Sequence, residues 1–339
     1  MAGLAFAEVA LRHGRSLKVI DNGSQNASSV AAGLYNPVAI KRMKAIPDAD
    51  SLLSGMNEFY VNGQHSAFRH PLRLLRRFHS FEEQNQWFEA ADTPNLAKFV
   101  VPHIQAPDIN GMAAPYGFGE ISQAGYVDTS GFISSYRDYL AGLAVFQATA
   151  MDYGQISIGG TSCTYAGEEF GRIVFAEGFG LHGNPFFNYL PLNGTKGEIL
   201  LIRAEELQLD CIVNAGIFIL PLGNHLFRVG ATYEHLDKSN QPTKEGRQEL
   251  ESKLKELIQV PYEVIGHQAG VRPTVRDRQP LLGRHAQYGR LAVLNGLGTR
   301  GVLFAPTLAK CLFDHLENDK PLPGQWDIKR FRRDFSRNG

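Results

Sequence analysis

An apolar helix that leads directly into a short β-strand opens the sequence and constrains its fold more than any other feature. Residues 2–13 carry apolar side chains at helical spacing, and Gly14 stands where a helix commonly ends. The run from Ser16 to Asp21 is rich in β-branched residues and ends in an acid, which is typical of a buried parallel strand. A helix and a strand in this order predict an α/β fold.

The rest of the chain adds a second architecture to this one. The 339 residues suffice for two domains at about 150 residues each. Mixed polar and aromatic segments between Asp48 and Asp138 predict a domain inserted into the first. Residues 212–220 and 226–232 are two β-rich runs around a Pro-Leu-Gly-Asn turn, which predicts an antiparallel hairpin. The fold class is therefore α/β, or α+β when both parts are taken together.

Three further segments have helical spacing. Residues 71–78 and 81–91 each have the pattern of an amphipathic helix, and a third helix is predicted from Pro306 to Leu316, with the proline near its first position. A strand from Leu291 to Asn295 precedes that last helix and is joined to it by a glycine-rich turn. The glycines of this turn are therefore predicted at the end of a strand.

Charge and cysteine content exclude several function classes. Thirty-four basic residues balance 34 acidic ones, which disfavours a protein that coats nucleic acid. The three cysteines are odd in number and far apart, so the sequence predicts neither a disulfide framework nor a zinc site, and favours a cytoplasmic location. The eleven histidines form no ligand-spaced cluster, and no metal is expected. The uncharged run from Cys211 to Phe227 is too short and too broken for a membrane span.

A glycine near the start of the first helix and the acid after the first strand form the first candidate site. Asp21 follows Gly3 at about the 20-residue spacing that joins a pyrophosphate-binding glycine to a ribose-binding acid in dinucleotide folds. Only the last glycine of G-x-G-x-x-G is present, and a helix and strand followed by an acid more often belong to an ordinary α/β core. We expect a start codon assigned too late, with the strand and leading glycines in about 15 further residues.

Two more segments have the composition of binding loops. Residues 26–37 combine small side chains with Ser28 and Ser29, which suits a phosphate-binding loop or simply a flexible one. Arg272 and Arg300 lie in segments rich in glycine and proline. A guanidinium group matches a carboxylate with two parallel hydrogen bonds, so both residues are candidates for holding an acidic substrate; the alternative is two surface arginines.

Together these segments resemble the FAD-dependent amine and D-amino-acid oxidases, a family that includes glycine oxidase and sarcosine oxidase. The most specific pieces are Gly270-Val-Arg-Pro273 and Gly298-Thr-Arg-Gly301, supported by Phe175-Ala-Glu-Gly178 and Lys196-Gly-Glu198. The resemblance covers nearly the whole chain. It implies a Rossmann-like FAD-binding domain with an inserted substrate domain of mixed or antiparallel sheet. The implied boundaries are 1–56, 140–204 and 270–339 for the FAD-binding domain, and 57–139 and 205–269 for the substrate domain.

The resemblance also implies roles for individual residues. It places Arg272 on the substrate carboxylate and makes Arg272 and Arg300 the catalytic candidates. Phe218 and Tyr233 are implied to face the substrate, although the family often has a tyrosine at the position of Phe218. The residues implied to bind FAD are Gly3, Asp21, Ser28, Ser29, Ala31, Ala32, Gly33, Gly178, Gly298, Thr299, Arg300, Gly301 and Val302.

The implied reaction is oxidation of an amine or amino acid by hydride transfer to flavin N5, with molecular oxygen or another acceptor reoxidising the flavin. One alternative is oxidation of a methylaminomethyl side chain of tRNA uridine, with a docking surface from the basic residues Arg69, Arg73, Arg76, Arg77 and the segment Lys329–Arg333. A further alternative is a flavoprotein-like fold that has lost FAD binding, because the leading glycines are missing.

Overall fold

The computed structural model describes residues 1–61, 65–105, 109 and 111–332. Seven α-helices lie in this part of the chain: α1 (Ala2–Arg12), α2 (Ala27–Val30), α3 (Ala49–Val61), α4 (Phe81–Ala91), α5 (Thr129–Gly142), α6 (Lys244–Lys255) and α7 (Gly301–Asn318). Short 3-10 turns span Ile40–Arg42, Ser66–Phe68, Tyr153–Gln155, Gly178–Gly183 and Ile328–Phe331.

The described residues also contain 21 strands of two to ten residues. They are β1 (Val19–Ile20), β2 (Leu34–Tyr35), β3 (Val38–Ala39), β4 (Lys44–Ala45), β5 (Arg69–Pro71), β6 (Leu74–Arg77), β7 (Val100–Gln105), β8 (Phe118–Ile121), β9 (Gly125–Val127), β10 (Phe146–Gln147), β11 (Ile156–Ile158), β12 (Cys163–Tyr165), β13 (Glu168–Phe170), β14 (Ile173–Phe175), β15 (Thr195–Arg203), β16 (Ile212–Ala215), β17 (Ile217–Gly223), β18 (Leu226–Gly230), β19 (Glu263–Arg272), β20 (Leu281–Arg284) and β21 (Leu291–Asn295).

These elements group into two compact units. The first unit contains Met1–Ser29, Ser130–Thr195 and the described residues from Val271 onward; the second contains Val30–Thr129 and Lys196–Gly270. Each unit is therefore assembled from separate stretches of the chain. The domain boundaries given by the sequence analysis stay a prediction.

The first unit contains the parallel pairs that the opening of the sequence predicts. Strand β1 pairs in parallel with β10, and β14 pairs in parallel with β21, whose other edge carries antiparallel β20. Helix α1 packs along α7. The core under the β14–β21 pair contains Phe175, Phe187 and Val293, each at most 3% exposed. Apolar residues on adjacent strands thus bury the parallel sheet on this side.

An eight-stranded, largely antiparallel sheet forms the body of the second unit. Its strand order is β19-β15-β18-β17-β16-β6-β8-β7, and β16 pairs with β6 in parallel. The predicted antiparallel hairpin is present as β17 and β18, which pair around Asn224 and His225, both with positive φ. Its predicted bounds are wrong, because residues 212–220 form parts of two antiparallel strands, β16 and β17, and Pro221–Gly223 belong to β17 rather than to the turn. Leu250 and Leu254 of α6 pack on one face of this sheet with side chains such as Val229. The mixed α/β fold class is confirmed.

Two sequence predictions about local structure are wrong. Residues 71–78 are not a helix, because β6 (Leu74–Arg77) pairs with both β16 and β8 and so lies inside the large sheet. Helix α7 begins at Gly301 rather than at Pro306, so the proline lies within the helix. In both cases contacts with distant strands, or with the turn before the helix, outweigh the local pattern. The predicted helix 81–91 is confirmed as α4.

A buried ion-pair network fixes the chain between β18 and α6. Lys196 is fully buried and donates hydrogen bonds to the carboxylate of Asp237 and the carbonyl of Gln241, with Glu198 Oε1 at 3.5 Å. The Glu198 carboxylate accepts from the backbone N–H of Thr243 at 2.9 Å and from its hydroxyl at 2.8 Å. Because each buried charge has a counter-charge and hydrogen bonds, the network holds this loop on the sheet.

The Asp237 carboxylate gives the network a testable pH dependence. The hydrogen bond from Lys196 lowers the pKa of Asp237 from 3.8 to about 2. A carboxyl group whose pKa is lowered by folding stabilises the protein above its unfolded pKa, and this contribution is lost as the pH falls through the folded value. Asp237→Asn should therefore lower the unfolding midpoint at pH 7, and its difference from the unchanged chain should shrink below about pH 4.

The measurement is urea unfolding between pH 7 and pH 3. Asp210→Asn is the matched control, because Asp210 forms an exposed ion pair with Arg73 at 3.3 Å and such surface pairs contribute little. A midpoint difference for Asp237→Asn that stayed constant over this pH range would contradict the assigned role.

Candidate functional site

Glycine turns follow β14 and β21, two strands of the first unit that pair in parallel. Strand β14 leads to Gly178 and β21 leads to Gly298, and both glycines have φ of +56°. The side chain of Asn295, 2% exposed, donates from Nδ2 to the carbonyl oxygen of Gly178 at 2.9 Å. A single buried amide therefore joins the two turns at the carboxyl ends of these strands, the edge at which open α/β sheets bind ligands.

Helix α1 approaches the same edge of the sheet. A Cβ atom on Gly3 would lie 3.3 Å from the Cβ of Ala176, which follows β14. The helix thus packs closely against the residues that precede Gly178. The structure therefore places Gly3 against Ala176, two residues before Gly178, and both glycines are expected to bind the same cofactor.

The two candidate arginine segments also meet within the first unit. The backbone N–H of Gly298 donates to the carbonyl oxygen of Pro273 at 3.1 Å, directly beside Arg272 at the end of β19. Arg300 is the residue before the first turn of α7, and both arginines are partly buried. This backbone contact joins the segment after Arg272 to the turn that carries Arg300 ahead of a helix N-terminus, an arrangement that suits an anionic group.

A carboxylate that the sequence analysis did not single out supports the first glycine turn. Glu177 accepts hydrogen bonds from the hydroxyl of Tyr153 and from Asn184 Nδ2, the latter at 2.8 Å. Burial raises the pKa of Glu177 above its usual value, and the two hydrogen bonds oppose this shift. No helix or strand periodicity in the sequence links Tyr153 or Asn184 to Glu177, so only the folded structure identifies them as its hydrogen-bond partners.

Asp21 lies at the end of β1, as the sequence analysis expects of a ribose-binding acid. Its carboxylate accepts from the backbone N–H of Gly23 at 2.8 Å and pairs with Arg137 of α5. The pairing with Arg137 was missed, because more than 100 residues separate the two in sequence. Ser28 and Ser29, expected near the phosphates, lie within the single helical turn α2.

The loop Ala31–Gly33, which the resemblance assigns to the cofactor and which is called the cofactor loop below, is held tightly in the second unit. Gly33 has φ of +68°, and its carbonyl oxygen accepts from Val127 N–H at 3.0 Å. A Cβ atom on Gly33 would lie 1.9 Å from the carbonyl oxygen of Val127. No side chain fits there, so the close approach of the two backbones requires glycine.

The two predicted substrate residues lie in the second unit but differ in their surroundings. Phe218 of β17 is partly buried, and its ring lies about 3.0 Å from where a Cβ on Gly230 would be. Tyr233 is 57% exposed, and the ammonium group of Lys41 lies 5.7 Å from the centre of its ring. The structure thus places a bare aromatic ring and a phenol on the strand and loop expected to face the substrate.

The turns of the first unit suit a ligand that approaches the backbone closely. A Cβ on Gly178 would have its nearest neighbour at 4.0 Å, one on Gly298 at 3.6 Å, and one on Gly301 none within 4 Å. The space beside these glycines is therefore open, unlike that beside Gly33. Backbone free of side chains at a helix N-terminus is the arrangement that dinucleotide phosphates require, so these residues fit FAD.

Membrane spans and metal clusters are both absent from the part of the chain that the structure describes. None of its helices is long and apolar enough to cross a membrane. Within residues 1–61, 65–105, 109 and 111–332, no three His, Cys, Asp or Glu side chains are grouped in a way that could hold a metal ion.

Comparison with known proteins identifies related sequences. The profile of the family described as FAD dependent oxidoreductase (DAO) matches residues 1–315. Glycine oxidase of Bacillus subtilis (strain 168) is 28% identical over 170 residues, which make up 48% of this chain and 45% of that protein. The tRNA 5-methylaminomethyl-2-thiouridine biosynthesis bifunctional protein MnmC of Marinobacter nauticus is 28% identical over 140 residues, 38% of this chain and 22% of that protein. The match thus spans less than half the length of each relative.

The fold is shared with a solved structure over almost the whole chain. Glycine oxidase from Geobacillus kaustophilus superposes with a TM-score of 0.80 at 20% identity, covering 97% of this chain and 95% of the other. At this identity the likeness establishes the architecture. The large mixed sheet and the strand–turn–helix segments described above are therefore features of a known fold.

The close contact at Gly33 predicts a large and specific effect of substitution. Gly33→Ala should lower the free energy of unfolding by more than about 3 kcal/mol, because the new methyl group must displace the backbone at Val127. Gly14→Ala is a matched control, since Gly14 has the same φ of +68° and a Cβ added to it would meet no atom within 4 Å. It should lose only about 1–2 kcal/mol of stability to backbone strain.

Urea unfolding of both variants measures this difference. Equal losses for Gly33→Ala and Gly14→Ala would show that positive φ alone, and not the contact with Val127, restricts residue 33 to glycine.

Proposed function

The chain belongs to the DAO family of FAD-dependent oxidoreductases, and from this premise we propose that it oxidises a small amine or amino acid whose carboxylate binds Arg272. The contact between the Arg272 segment and the Gly298 turn carries this proposal. The hydrogen bond from Gly298 N–H to Pro273 O joins the arginine segment to the open glycines that fit the cofactor. A substrate anchored at Arg272 would then be held next to the cofactor, as oxidation requires.

FAD, when bound, would supply the chemistry of this reaction by accepting a hydride, that is two electrons and one proton, from the carbon next to the amine, while the amine proton is released to solvent. The residues of this chain would bind and orient the substrate. The Arg272 guanidinium would form two parallel hydrogen bonds with a carboxylate and so fix the direction of the neighbouring carbon. Arg300, at the N-terminus of α7, would add positive charge at the same turn. The product is an imine, which water hydrolyses to a carbonyl compound and an amine or ammonia.

Two side chains of the second unit bear on the choice of substrate. Phe218 presents a ring without a hydroxyl group, so it favours apolar contact over a second hydrogen bond to the carboxylate. Tyr233 supplies a hydroxyl on the following loop. We propose that glycine, sarcosine and small D-amino acids form the substrate class, and that oxygen or another acceptor takes the electrons.

The alternative of tRNA oxidation is not favoured by the arginines it would use. Arg73 pairs with Asp210 at 3.3 Å, Arg76 pairs with Glu83 at 3.2 Å, and Arg77 donates to a backbone carbonyl at 2.6 Å. The acidic partners of Arg73 and Arg76 reduce the local positive potential that a docking surface for phosphates needs, whereas the carbonyl bound by Arg77 leaves its charge unchanged. Lys329 and Arg330 also have acidic neighbours, and Arg333 lies outside the described residues.

The test of the proposed function is the visible absorption spectrum of the purified chain with added FAD. Bound flavin should give the usual absorption bands, and these should bleach under anaerobic conditions with glycine, sarcosine or a D-amino acid. The same panel with the carboxylate replaced by an amide is the control, because it removes the group that Arg272 recognises. A chain that takes up no FAD would refute the proposal and favour a fold that has lost its cofactor.

Substitution of Arg272 tests the carboxylate site itself. Arg272→Ala should lower kcat/KM for the best amino acid about 100-fold or more, mainly through KM, because a charged pair of hydrogen bonds is lost. FAD affinity should stay within about twofold of that of the unchanged chain.

Arg278→Ala is the matched control, an exposed arginine six positions further on. Arg278→Ala should leave both kcat/KM for the amino acid and the affinity for FAD unchanged. Equal KM values for Arg272→Ala and the unchanged chain would remove Arg272 from the substrate site.

A further inference from the structure

We propose that Arg228 is a positioning residue for the cofactor loop, acting through the backbone carbonyl of Ala31. The proposal rests on the proposed function, since it assumes that residues 31–33 contact FAD. It adds a residue from a distant strand that no motif in the sequence identifies. The contacts that hold each end of the loop determine how Arg228 can position it.

Two side chains donate to the same carbonyl oxygen. The hydroxyl of Thr129 donates to Ala31 O at 3.1 Å, and Nη1 of Arg228 donates to it at 3.3 Å. A carbonyl oxygen has two lone pairs, so both of its acceptor positions are used. Thr129 has 0% exposure, and a carbonyl left without partners beside it would be unfavourable. The direction of this peptide group is therefore set by Thr129 and Arg228 together.

The other end of the loop is fixed by backbone contacts. The carbonyl of Gly33 accepts from Val127 N–H at 3.0 Å, and the two chains approach too closely for any side chain at residue 33. Val127 and Thr129 are two residues apart at the end of β9 and the start of α5. One short segment therefore holds both ends of the cofactor loop, and Arg228 reaches the loop separately, from the large sheet.

Arg228 is placed for this contact by the register of β18. It lies opposite Leu220 of β17, while its neighbours Phe227 and Val229 point into the core shared with α6. Alternation along a strand puts Arg228 on the opposite face of the sheet. Phe218 shares that face because it lies opposite Gly230, two residues after Arg228. The guanidinium thus leaves the sheet on the face that carries the predicted substrate residue.

The consequence for the cofactor follows from the rigidity of the peptide unit. Rotation of the plane that contains Ala31 O also rotates the N–H of Ala32, because the two belong to one planar group. Loss of the Arg228 donor lets this plane tilt and spreads the directions in which the loop amides point. A cofactor that is bound by loop amides pointing in one direction binds less tightly to such a mixture of loop conformations.

The first experiment measures FAD affinity by quenching of flavin fluorescence on titration with apoprotein. Arg228→Met keeps the length of the side chain and removes the donors, and should raise the Kd about tenfold. Arg228→Lys retains one donor and should restore part of the affinity. Arg203→Met, an exposed arginine on the adjacent strand β15, is the matched control and should leave the Kd unchanged.

Visible circular dichroism of the bound flavin separates positioning from general stability. Arg228→Met should change the sign or size of the flavin bands, while the thermal midpoint of the apoprotein stays within a few degrees of that of the unchanged chain. Thr129→Val removes the other donor with little change of shape. In a double-mutant cycle the effects of Arg228→Met and Thr129→Val on the Kd should be non-additive, because both act on one acceptor.

The outcomes separate this inference from the function on which it rests. If the unchanged chain binds FAD and Arg228→Met binds it with the same Kd and the same flavin dichroism, the inference is wrong and the proposed function stands. Additive effects of the two substitutions would also refute a shared role at Ala31. If the unchanged chain binds no FAD, both the function and the inference are refuted.

Discussion

Close approach of backbone segments, permitted by glycine and held by buried hydrogen bonds, is the constraint on which the rest of the structure depends. In the first unit, Asn295 fixes the turn at Gly178 to the end of β21, and Gly298 N–H fixes the next turn to Pro273. A buried amide that lost its partner would leave polar groups unpaired in a place without water. The geometry of both turns therefore follows from satisfying these few groups, and the candidate site inherits that geometry.

In the second unit, a loop is fixed by buried charged groups instead. Lys196 and Glu198 are buried next to the start of α6, where each is surrounded by groups of opposite charge or by hydrogen-bond partners. Removing one member would leave an uncompensated charge, which is far more destabilising than removing an exposed pair. The loop that carries Tyr233 lies between β18 and this network. Its conformation is thus determined by electrostatic pairing, whereas the cofactor loop is held by the close backbone contact at Gly33 and by the two donors to the carbonyl oxygen of Ala31.

Much of the fold was accessible from sequence where the local pattern and the tertiary environment agree. The strand around Val19, the hairpin of β17 and β18, and the strand before Asn295 follow from β-branched runs and turn residues. The helix predicted over residues 71–78 is wrong because the mixed leucines and arginines of this segment fit either a helix or a strand, and pairing with β16 and β8 decides between them. The predicted start of α7 at Pro306 is wrong because this helix tolerates a proline in its interior and already begins at Gly301, directly after the glycine turn.

The sequence by itself determined the family and the types of group at the candidate site, because glycines, arginines and an acid at set spacings are visible without coordinates. Only the tertiary structure decided how those groups are held. Arg137 beside Asp21, Asn295 beside Gly178, and the two donors on Ala31 come from segments far apart in the chain. The physical reason is that a hydrogen bond depends on distance and direction in space, which a linear pattern does not contain once the partners lie on different elements.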